Sequence, residues 1–282
     1  MSRPFLFLMG HPVSHSFSPA MQNAALRALN LPWDFVPIDL LSEEIPQALE
    51  RFRASGVLGG NVTVPHKEKI SPWIDRVEGA ARDLGSVNTV YRKGGRWIGT
   101  STDGEGFLRS LGPWRKKLKG SRGLLIGAGG SALAVGHAMA LSGVREIWVG
   151  NRTLKNSERM IRVLRERFRG LSLVALPLAE SERALRSRDW VIQTTSLGLD
   201  TGDPSPIRLA RARPGTWVVD LLYHRETAFL RLAKRQGLPA LGGLGMLLHQ
   251  GALSLELWTG RKAPLEVMKR ALLDRLSQSR VR

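Results

Sequence analysis

The sequence predicts an α/β protein of two domains. Apolar strands alternate with helical segments along the first hundred residues, and a second series of the same kind begins at residue 123. Such alternation is typical of mostly parallel sheets whose faces are covered by helices. A basic stretch rich in glycine and lysine, residues 111–123, separates the two series. We therefore expect an N-terminal α/β domain followed by a doubly wound α/β domain.

The elements of the first series can be assigned in chain order. FLFLMG (5–10) is typical of a buried strand. Ser18 is expected to be the N-cap of the first helix, with Pro19 at its first position. Residues 87–102 alternate as a hairpin that turns at Gly94–Gly95. The remaining segments are predicted to be a strand at 35–40, a helix at 43–55, a strand at 57–64, and helices near 78–84 and 104–110.

The second series begins with the strand GLLIG. Its further strands are predicted at 146–150, 171–176, 189–195 and 216–221, and its helices at 131–142, 155–169 and near 180–186. A long apolar helix from Gly242 and a second helix over 264–278 end the chain. Two helices cannot form a domain alone, so we expect them to complete the first domain. The predicted division is therefore 1–105 with 240–282, and 106–239.

Composition excludes several classes of protein. The 282 residues include no cysteine, which rules out disulfides, thiolate nucleophiles and Cys-based metal sites. The six histidines lack metal-ligand spacing, so no metal is expected. No apolar run approaches the ~20 residues that a membrane helix requires. The first residues lack the pattern of a signal peptide, and we expect a cytoplasmic protein.

The net charge of +18 is concentrated in the middle of the chain. Residues 111–240 carry 23 basic and 10 acidic side chains. This excess is compatible with a phosphorylated cofactor, with nucleic acid, or with a solvated arginine-rich face such as 159–169. No nucleic-acid motif accompanies it, so we expect a small-molecule partner and neither nucleic acid nor membrane.

A glycine-rich turn follows the strand GLLI. Gly127, Gly129 and Ala132 occupy the three positions of a G-x-G-x-x-[G/A] pattern, with Ala128, Gly130 and Ser131 between them. This turn lies between a strand and a helix, as in dinucleotide-binding Rossmann domains. Pyrophosphate would bind the N–H groups at the helix N-terminus.

The end of the next strand indicates which dinucleotide is bound. NAD-specific domains usually place Asp or Glu there to bind the ribose 2′-hydroxyl. Here the strand ends in Asn151, Arg152 and Thr153, followed by Lys155. Arg152 can stack on adenine and pair with a 2′-phosphate, so this segment favours NADP(H) over NAD(H).

Further polar motifs lie at predicted strand ends and loops. In chain order they are HSFSP (15–19), NVTVPHK (61–67), VNT (87–89), TDGEG (102–106), GAGGSA (127–132), NRT (151–153) and GLGMLLHQ (243–250). This ordered set resembles the shikimate dehydrogenase family over almost the whole chain. The resemblance implies two domains with an active site in the cleft, and reversible reduction of 3-dehydroshikimate to shikimate with NADPH in aromatic amino-acid biosynthesis. A monomer or homodimer is expected.

The resemblance also implies roles for individual residues. Ser16 and Ser18 would hold the substrate carboxylate, with Tyr223 nearby. Leu221 and Gly243 would lie near the nicotinamide. The residues matched to the ring hydroxyls and ketone are Thr63, Lys67, Asn88, Asp103 and Gln250.

The residue types suit this reaction. Hydride transfer to a ketone builds negative charge on oxygen, and Lys67 can supply both positive charge and a proton. Asp103 would orient the ammonium group. A quinate/shikimate dehydrogenase with relaxed substrate or cofactor choice is the alternative enzyme, and a non-catalytic basic protein on the same scaffold is the alternative class. The sequence departs from the family pattern at Gln22, Ser101 and His224–Arg225.

Overall fold

The computed structural model describes residues 4–280. The strands are β1 (Phe5–Gly10), β2 (Asp34–Asp39), β3 (Val57–Val62), β4 (Arg76–Val77), β5 (Thr89–Lys93), β6 (Arg96–Thr100), β7 (Arg122–Ile126), β8 (Glu146–Asn151), β9 (Ser172–Pro177), β10 (Trp190–Gln193), β11 (Trp217–Asp220) and β12 (Ala240–Gly242). The α-helices are α1 (Ser18–Ala28), α2 (Ile45–Ala54), α3 (Ala80–Leu84), α4 (Asp103–Ser110), α5 (Gly130–Leu141), α6 (Leu154–Arg167), α7 (Ser181–Ala184), α8 (Ala228–Arg235), α9 (Leu244–Thr259) and α10 (Leu265–Arg280).

The chain forms two compact units, which confirms the two-domain α/β architecture. Unit 1 comprises the residues up to Gly106 and those from Leu248 onward, and unit 2 comprises Phe107–Leu247. The chain passes from one unit to the other twice, once within α4 and once within α9. Within residues 4–280, no helix has the length and apolar character needed to span a membrane.

Unit 1 is built on a six-stranded sheet in the order β2-β1-β3-β5-β6-β4. β1 pairs in parallel with β2 and β3, whereas β5 is antiparallel to β3 and β6. The hairpin turns at Gly94 and Gly95 as expected, and both residues have positive φ, which glycine adopts without strain. The core centres on the fully buried Phe7 and Trp97, and α10 packs against α1.

The first helix differs from expectation at its start. α1 begins at Ser18 itself, Phe17 is its N-cap, and the cap makes no side-chain hydrogen bond. The expected N-cap role of Ser18 is therefore wrong. The hydroxyl of Ser16 instead accepts a hydrogen bond from the Ser18 backbone N–H at 3.2 Å. This bond satisfies one of the N–H groups that a helix leaves free at its first turn.

Unit 2 has a parallel sheet in the order β12-β11-β10-β7-β8-β9. The chain begins at the centre with β7, runs outward through β8 and β9, and returns to the other side of β7. This order is that of a doubly wound Rossmann domain, with the change of direction between β7 and β10. Residues from five of these strands and from α8 form one core around Leu124, Val191 and Phe229.

Three elements lie outside the sequence-based expectations: the edge strands β4 and β12, and the helix α8. The strands are two and three residues long, too short to produce a periodic signal. The helix α8, in contrast, could have been predicted from its sequence. Thr227 is its N-cap and accepts a hydrogen bond from Leu230 N, just before the amphipathic stretch AFLRLAKR.

Candidate active site

A buried ion pair marks the candidate site of unit 1. Lys67 Nζ donates to Asp103 Oδ2 at 2.5 Å, and the two side chains are 14% and 7% exposed. Lys67 lies in the turn that follows β3, and Asp103 is the first residue of α4. A carboxylate in the first turn of a helix is favoured by the helix dipole. The pair is thus fixed by two different elements and shielded from most solvent.

The turn that carries Lys67 is anchored on both sides. His66 is fully buried, and its Nε2 lies 2.8 Å from the carbonyl oxygen of Leu40, to which it can only donate. The carbonyl oxygen of Lys67 accepts from the backbone N–H of Val87 at 2.8 Å. These bonds restrict the backbone from which the lysine side chain extends.

Asn88 connects the ion pair to the interior of the unit. Its Nδ2 donates to Asp103 Oδ1 at 2.7 Å, and Gln250 Oε1 lies 3.3 Å from the same nitrogen. Its Oδ1 accepts from the backbone N–H of Thr102 at 2.9 Å and from the Thr89 hydroxyl at 2.8 Å. Both oxygens of Asp103 therefore accept hydrogen bonds, one from a cation and one from a neutral amide.

A second layer of buried hydroxyl groups supports Asn88. Ser254 Oγ, on α9, lies 2.8 Å from Thr89 Oγ1 and 3.3 Å from Thr102 Oγ1. It also accepts from Asn61 Nδ2 at 3.0 Å. None of these four side chains was predicted to have a role. Ser254 could have been predicted to lie beside Gln250, because it follows four residues later and so shares the same face of the helix.

A close approach of two helices brings Gln250 to this network. A Cβ on Gly106 of α4 would lie 2.6 Å from the Gln250 Cβ and 2.7 Å from its backbone nitrogen. Only glycine fits there without displacement. Nearby, Gln22 donates from Nε2 to the carbonyl oxygen of Gly251 at 2.9 Å, so this departure from the family pattern ties α1 to α9.

The remaining predicted residues of unit 1 lie at two chain segments that meet. Thr63 follows β3, and a Cβ on Gly10 at the end of β1 would lie 2.4 Å from its Cγ2. The segment after Gly10 carries Ser16 and leads into α1, which begins at Ser18. Thr63 and Ser16 are half-buried, and Ser18 is buried. Within residues 4–280, none of these three side chains forms a hydrogen bond with Lys67 or Asp103.

The glycine-rich turn of unit 2 has the geometry that its sequence predicts. Gly127 has a φ of +109°, and its Cβ would lie 2.5 Å from Thr194 Oγ1. Gly129 is the N-cap of α5, has an extended backbone, and has no atom within 4 Å of its Cβ position. Gly127 is thus required by the fold, whereas Gly129 leaves open space before the first N–H groups of α5.

The other candidate cofactor residues of unit 2 lie at the same edge of its parallel sheet. Asn151 ends β8 and donates from Nδ2 to the carbonyl oxygen of Thr153 at 3.0 Å. Arg152, Thr153 and Lys155 are exposed. The segment 151–155 contains no carboxylate, so the residues fit a phosphorylated ribose better than a free 2′-hydroxyl.

A further loop follows β11 at that edge. Leu221 donates its backbone N–H to Gln193 O at 2.9 Å, and a Cβ on Gly243 would lie 1.9 Å from Leu221 O. Tyr223 stacks on His224 with ring centroids 4.0 Å apart. The loop begins at Asp220, whose carboxylate is fully buried. Asp220 was not predicted to have a role, although a charged residue at the end of the apolar strand TWVVD is unusual.

Comparison with known proteins identifies the family. The shikimate dehydrogenase substrate-binding domain matches residues 8–90, the shikimate/quinate 5-dehydrogenase model matches 112–201, and the shikimate 5′-dehydrogenase C-terminal domain matches 243–273. A shikimate dehydrogenase (NADP+) of Shouchella clausii is 41% identical over 96% of this chain and 98% of its own. The chain belongs to the shikimate dehydrogenase family.

Further relatives agree with the shikimate dehydrogenase assignment. The shikimate dehydrogenase (NADP+) of Desulforamulus reducens is 40% identical over 94% of this chain and 93% of its own. A crystal structure of shikimate 5-dehydrogenase from Thermus thermophilus, in complex with NADP(H) and shikimate, superposes with a TM-score of 0.85. It is 35% identical and covers 97% of this chain and 100% of that one. As a family member, this chain is an oxidoreductase.

Proposed function

We propose that this chain catalyses the reversible NADPH-dependent reduction of 3-dehydroshikimate to shikimate, a step of aromatic amino-acid biosynthesis. The observation that carries this proposal is the buried Lys67–Asp103 pair, joined through Asn88 to Gln250. These side chains lie in the unit that contains the match to the family's substrate-binding domain. They combine a cation, a carboxylate and two amides, which suits a polyhydroxylated acid with one ketone.

Each polar residue has a role in this proposal. Ser16 and Ser18 bind the substrate carboxylate through their hydroxyl groups, and Tyr223 assists them. Thr63, Asn88 and Gln250 bind the ring hydroxyls. Asp103 accepts a hydrogen bond from the hydroxyl beside the reacting carbon.

Lys67 acts as the proton donor. Addition of hydride to the ketone carbon breaks the C=O π bond and places its electron pair on oxygen. The ammonium group of Lys67 stabilises that charge and gives the oxygen a proton, which completes the alcohol. Asp103 holds Nζ through its 2.5 Å contact and so directs the remaining ammonium protons. In the oxidative direction Lys67 takes the proton back.

The cofactor is NADP(H), which supplies the hydride when bound. Gly127, Ala128, Gly129, Gly130 and Ser131 form the turn for its pyrophosphate, supported by the open space at Gly129. At the end of β8, Asn151, Arg152, Thr153 and Lys155 bind the 2′-phosphate and adenine. Leu221 and Gly243 line the nicotinamide end.

The deciding experiment is an absorbance assay of nicotinamide reduction. Shikimate and quinate are each combined with NADP+ and with NAD+, using wild type and Lys67→Ala. We expect turnover with shikimate and NADP+, and little with the other three combinations. Equal turnover of quinate would favour the quinate/shikimate alternative that the family description also allows. Absence of turnover in every combination would overturn the proposal.

The proposal also includes the oligomeric state, the location in the cell and the role of the positive charge. The protein is a monomer or homodimer, which sedimentation measures. It works in the cytoplasm, where NADPH is available as a reductant. Its positive charge serves cofactor capture and solubility, so duplex DNA binds only at low salt, with an affinity that falls steeply as salt rises. Salt-resistant binding of a defined nucleic acid would contradict this last expectation.

A further inference from the structure

A buried carboxylate closes the loop that follows β11. Asp220 Oδ1 accepts from the backbone N–H of Leu222 at 3.0 Å, and Oδ2 accepts from the Thr227 hydroxyl at 2.6 Å. Thr227 Oγ1 in turn accepts from Leu230 N at 3.2 Å as the N-cap of α8. One side chain therefore ties the start of the 221–227 loop to its end and to the next helix.

We propose that Asp220 is a positioning residue for cofactor binding, holding the 221–227 loop in the shape that places Leu221 at the nicotinamide end of the site. The proposal rests on the function proposed above. It assigns Asp220 no contact with substrate or cofactor. Its effect passes through the two hydrogen bonds of its carboxylate.

The loop backbone has little freedom once those bonds form. Gly243 donates its N–H to Leu222 O at 3.0 Å, so the N–H and the carbonyl oxygen of Leu222 are both held by hydrogen bonds. The 1.9 Å distance from a Gly243 Cβ to Leu221 O shows that the two backbones are in direct contact. A shift of Leu222 would therefore move Leu221 as well.

Among the residues that the structure describes, no cation forms an ion pair with Asp220. Its register partners on the neighbouring strands, Gln193 and Gly242, are uncharged. Of the charged loop residues, Arg225 contacts Thr201 and Glu226 accepts from Lys234. The titratable ring of His224 stacks on Tyr223. Burial raises the pKa of Asp220 to about 6, while the bonds from Thr227 and Leu222 lower it in part.

An ionised carboxylate in such a place lowers the stability of the fold. A neutral side chain at this position would remove that cost. An amide at this position, however, cannot accept from both partners. Its nitrogen would face either the Leu222 N–H, with which it forms no bond, or the Thr227 hydroxyl, whose hydrogen would then lose the acceptor that Asp220 provides. Cofactor binding and stability should therefore respond differently to Asp220→Asn.

The test measures NADPH affinity by fluorescence titration at pH 8 and thermal unfolding of the same samples without cofactor. For Asp220→Asn we expect the Kd of NADPH to rise at least tenfold, while the Tm is unchanged or higher. Amide exchange at Leu222 should accelerate. Thr227→Val should raise the Kd in the same way, and Thr227→Ser, which keeps the hydroxyl, should not.

A matched control comes from a nearby loop of the same unit. Asp203 Oδ2 accepts from the backbone N–H of Gly198 at 2.7 Å and of Asp200 at 3.1 Å. Both bonds end on one oxygen, which an amide oxygen can replace, so Asp203→Asn removes a loop carboxylate of the same unit without breaking its hydrogen bonds. We expect it to leave the Kd within twofold of wild type.

The outcomes separate the two proposals. Wild type that fails to bind NADPH would overturn the proposed function. If wild type binds NADPH and Asp220→Asn binds it equally well, only the positioning role is overturned. A rise in Kd accompanied by a proportionate fall in Tm would show Asp220 to be structural and would also overturn it.

Discussion

The backbone N–H of Thr102 donates to Oδ1 of Asn88 at 2.9 Å, and this bond decides which end of the Asn88 amide faces Asp103. A backbone N–H cannot accept a hydrogen bond, so the oxygen of Asn88 must lie on that side. Its nitrogen then points to Asp103 Oδ1 at 2.7 Å. The carboxylate that orients Lys67 is thus itself oriented by a side chain of fixed polarity.

We predict that Asn88→Asp is more harmful than Asn88→Ala. The aspartate would place a carboxylate oxygen where a donor now meets Asp103, and the repulsion would disturb the bond to Lys67. We expect kcat/KM for shikimate to fall about tenfold in Asn88→Ala, the value of a lost hydrogen bond to a charged group, and about a hundredfold or more in Asn88→Asp. Steady-state kinetics at a fixed pH near neutrality measure both. A milder effect of the aspartate would contradict the orientation described above.

The Lys67–Asp103 pair should act as a unit. Lys67→Ala is expected to reduce kcat by about 10²–10⁴, the contribution of a positioned proton donor, with a much smaller change in KM. Asp103→Asn should also reduce kcat, because it removes the charge that holds Nζ, and should raise KM through the lost acceptor. The losses should not be additive in the double variant. Losses that multiply would show independent roles.

Cofactor choice should depend on Arg152. Arg152→Asp replaces an attractive contact with the 2′-phosphate by a repulsive one, and we expect NADP+ affinity to fall by about tenfold or more. Arg162→Asp, at an exposed position within α6, is the control for charge reversal at a distance. Isothermal titration with NADP+ and NAD+ distinguishes the cases. A wild type that uses both dinucleotides equally would show that Arg152 does not select the phosphate.

Alanine substitutions at the two glycines of the turn, Gly127 and Gly129, should affect different properties of the protein. Gly127→Ala combines a positive φ with a close contact to Thr194, so we expect a loss of about 2–5 kcal/mol in stability. Gly129→Ala enters open space with an extended backbone, so it should preserve stability or raise it by about 0.4–1 kcal/mol. Its methyl group should nevertheless weaken NADPH binding. Urea unfolding and NADPH titration of both variants test this, and normal NADPH affinity in Gly129→Ala would exclude pyrophosphate from that space.

Asp220 should make stability depend on pH. Burial raises its pKa from an ordinary value of 3.8 to about 6, so the folded state binds the proton more tightly than the unfolded state. This stabilisation is complete below about pH 4 and is lost as pH rises through about 6. The free energy of unfolding of wild type, relative to that of Asp220→Asn, should therefore fall across this window by on the order of 3 kcal/mol. Urea unfolding of both proteins across this pH range measures it, and a constant difference would contradict the shifted pKa.

The fold class and most of the elements could be predicted from the order of the amino acids alone. Regular alternation of apolar strands and helices is a local signal, and the turn at Gly127 lies within one strand–turn–helix segment, so both are visible without tertiary information. The family resemblance that the ordered polar motifs carry implied that Lys67, Asp103 and Asn88 belong to one site. Short edge strands such as β12 were not predicted, because three residues are too few to show the alternation of apolar and polar side chains that identifies a strand.

How those residues are held depends on contacts between distant parts of the chain. Ser254 reaches Thr89 across 165 positions of sequence, and Gly106 is needed because α9 passes against it. The buried state of Asp220 depends on which strands flank β11, which no local pattern records. Hydrogen-bond polarity at Asn88 likewise follows from a loop returning to it fourteen residues later. Local chemistry fixes which groups are present, and long-range packing fixes which of their atoms meet.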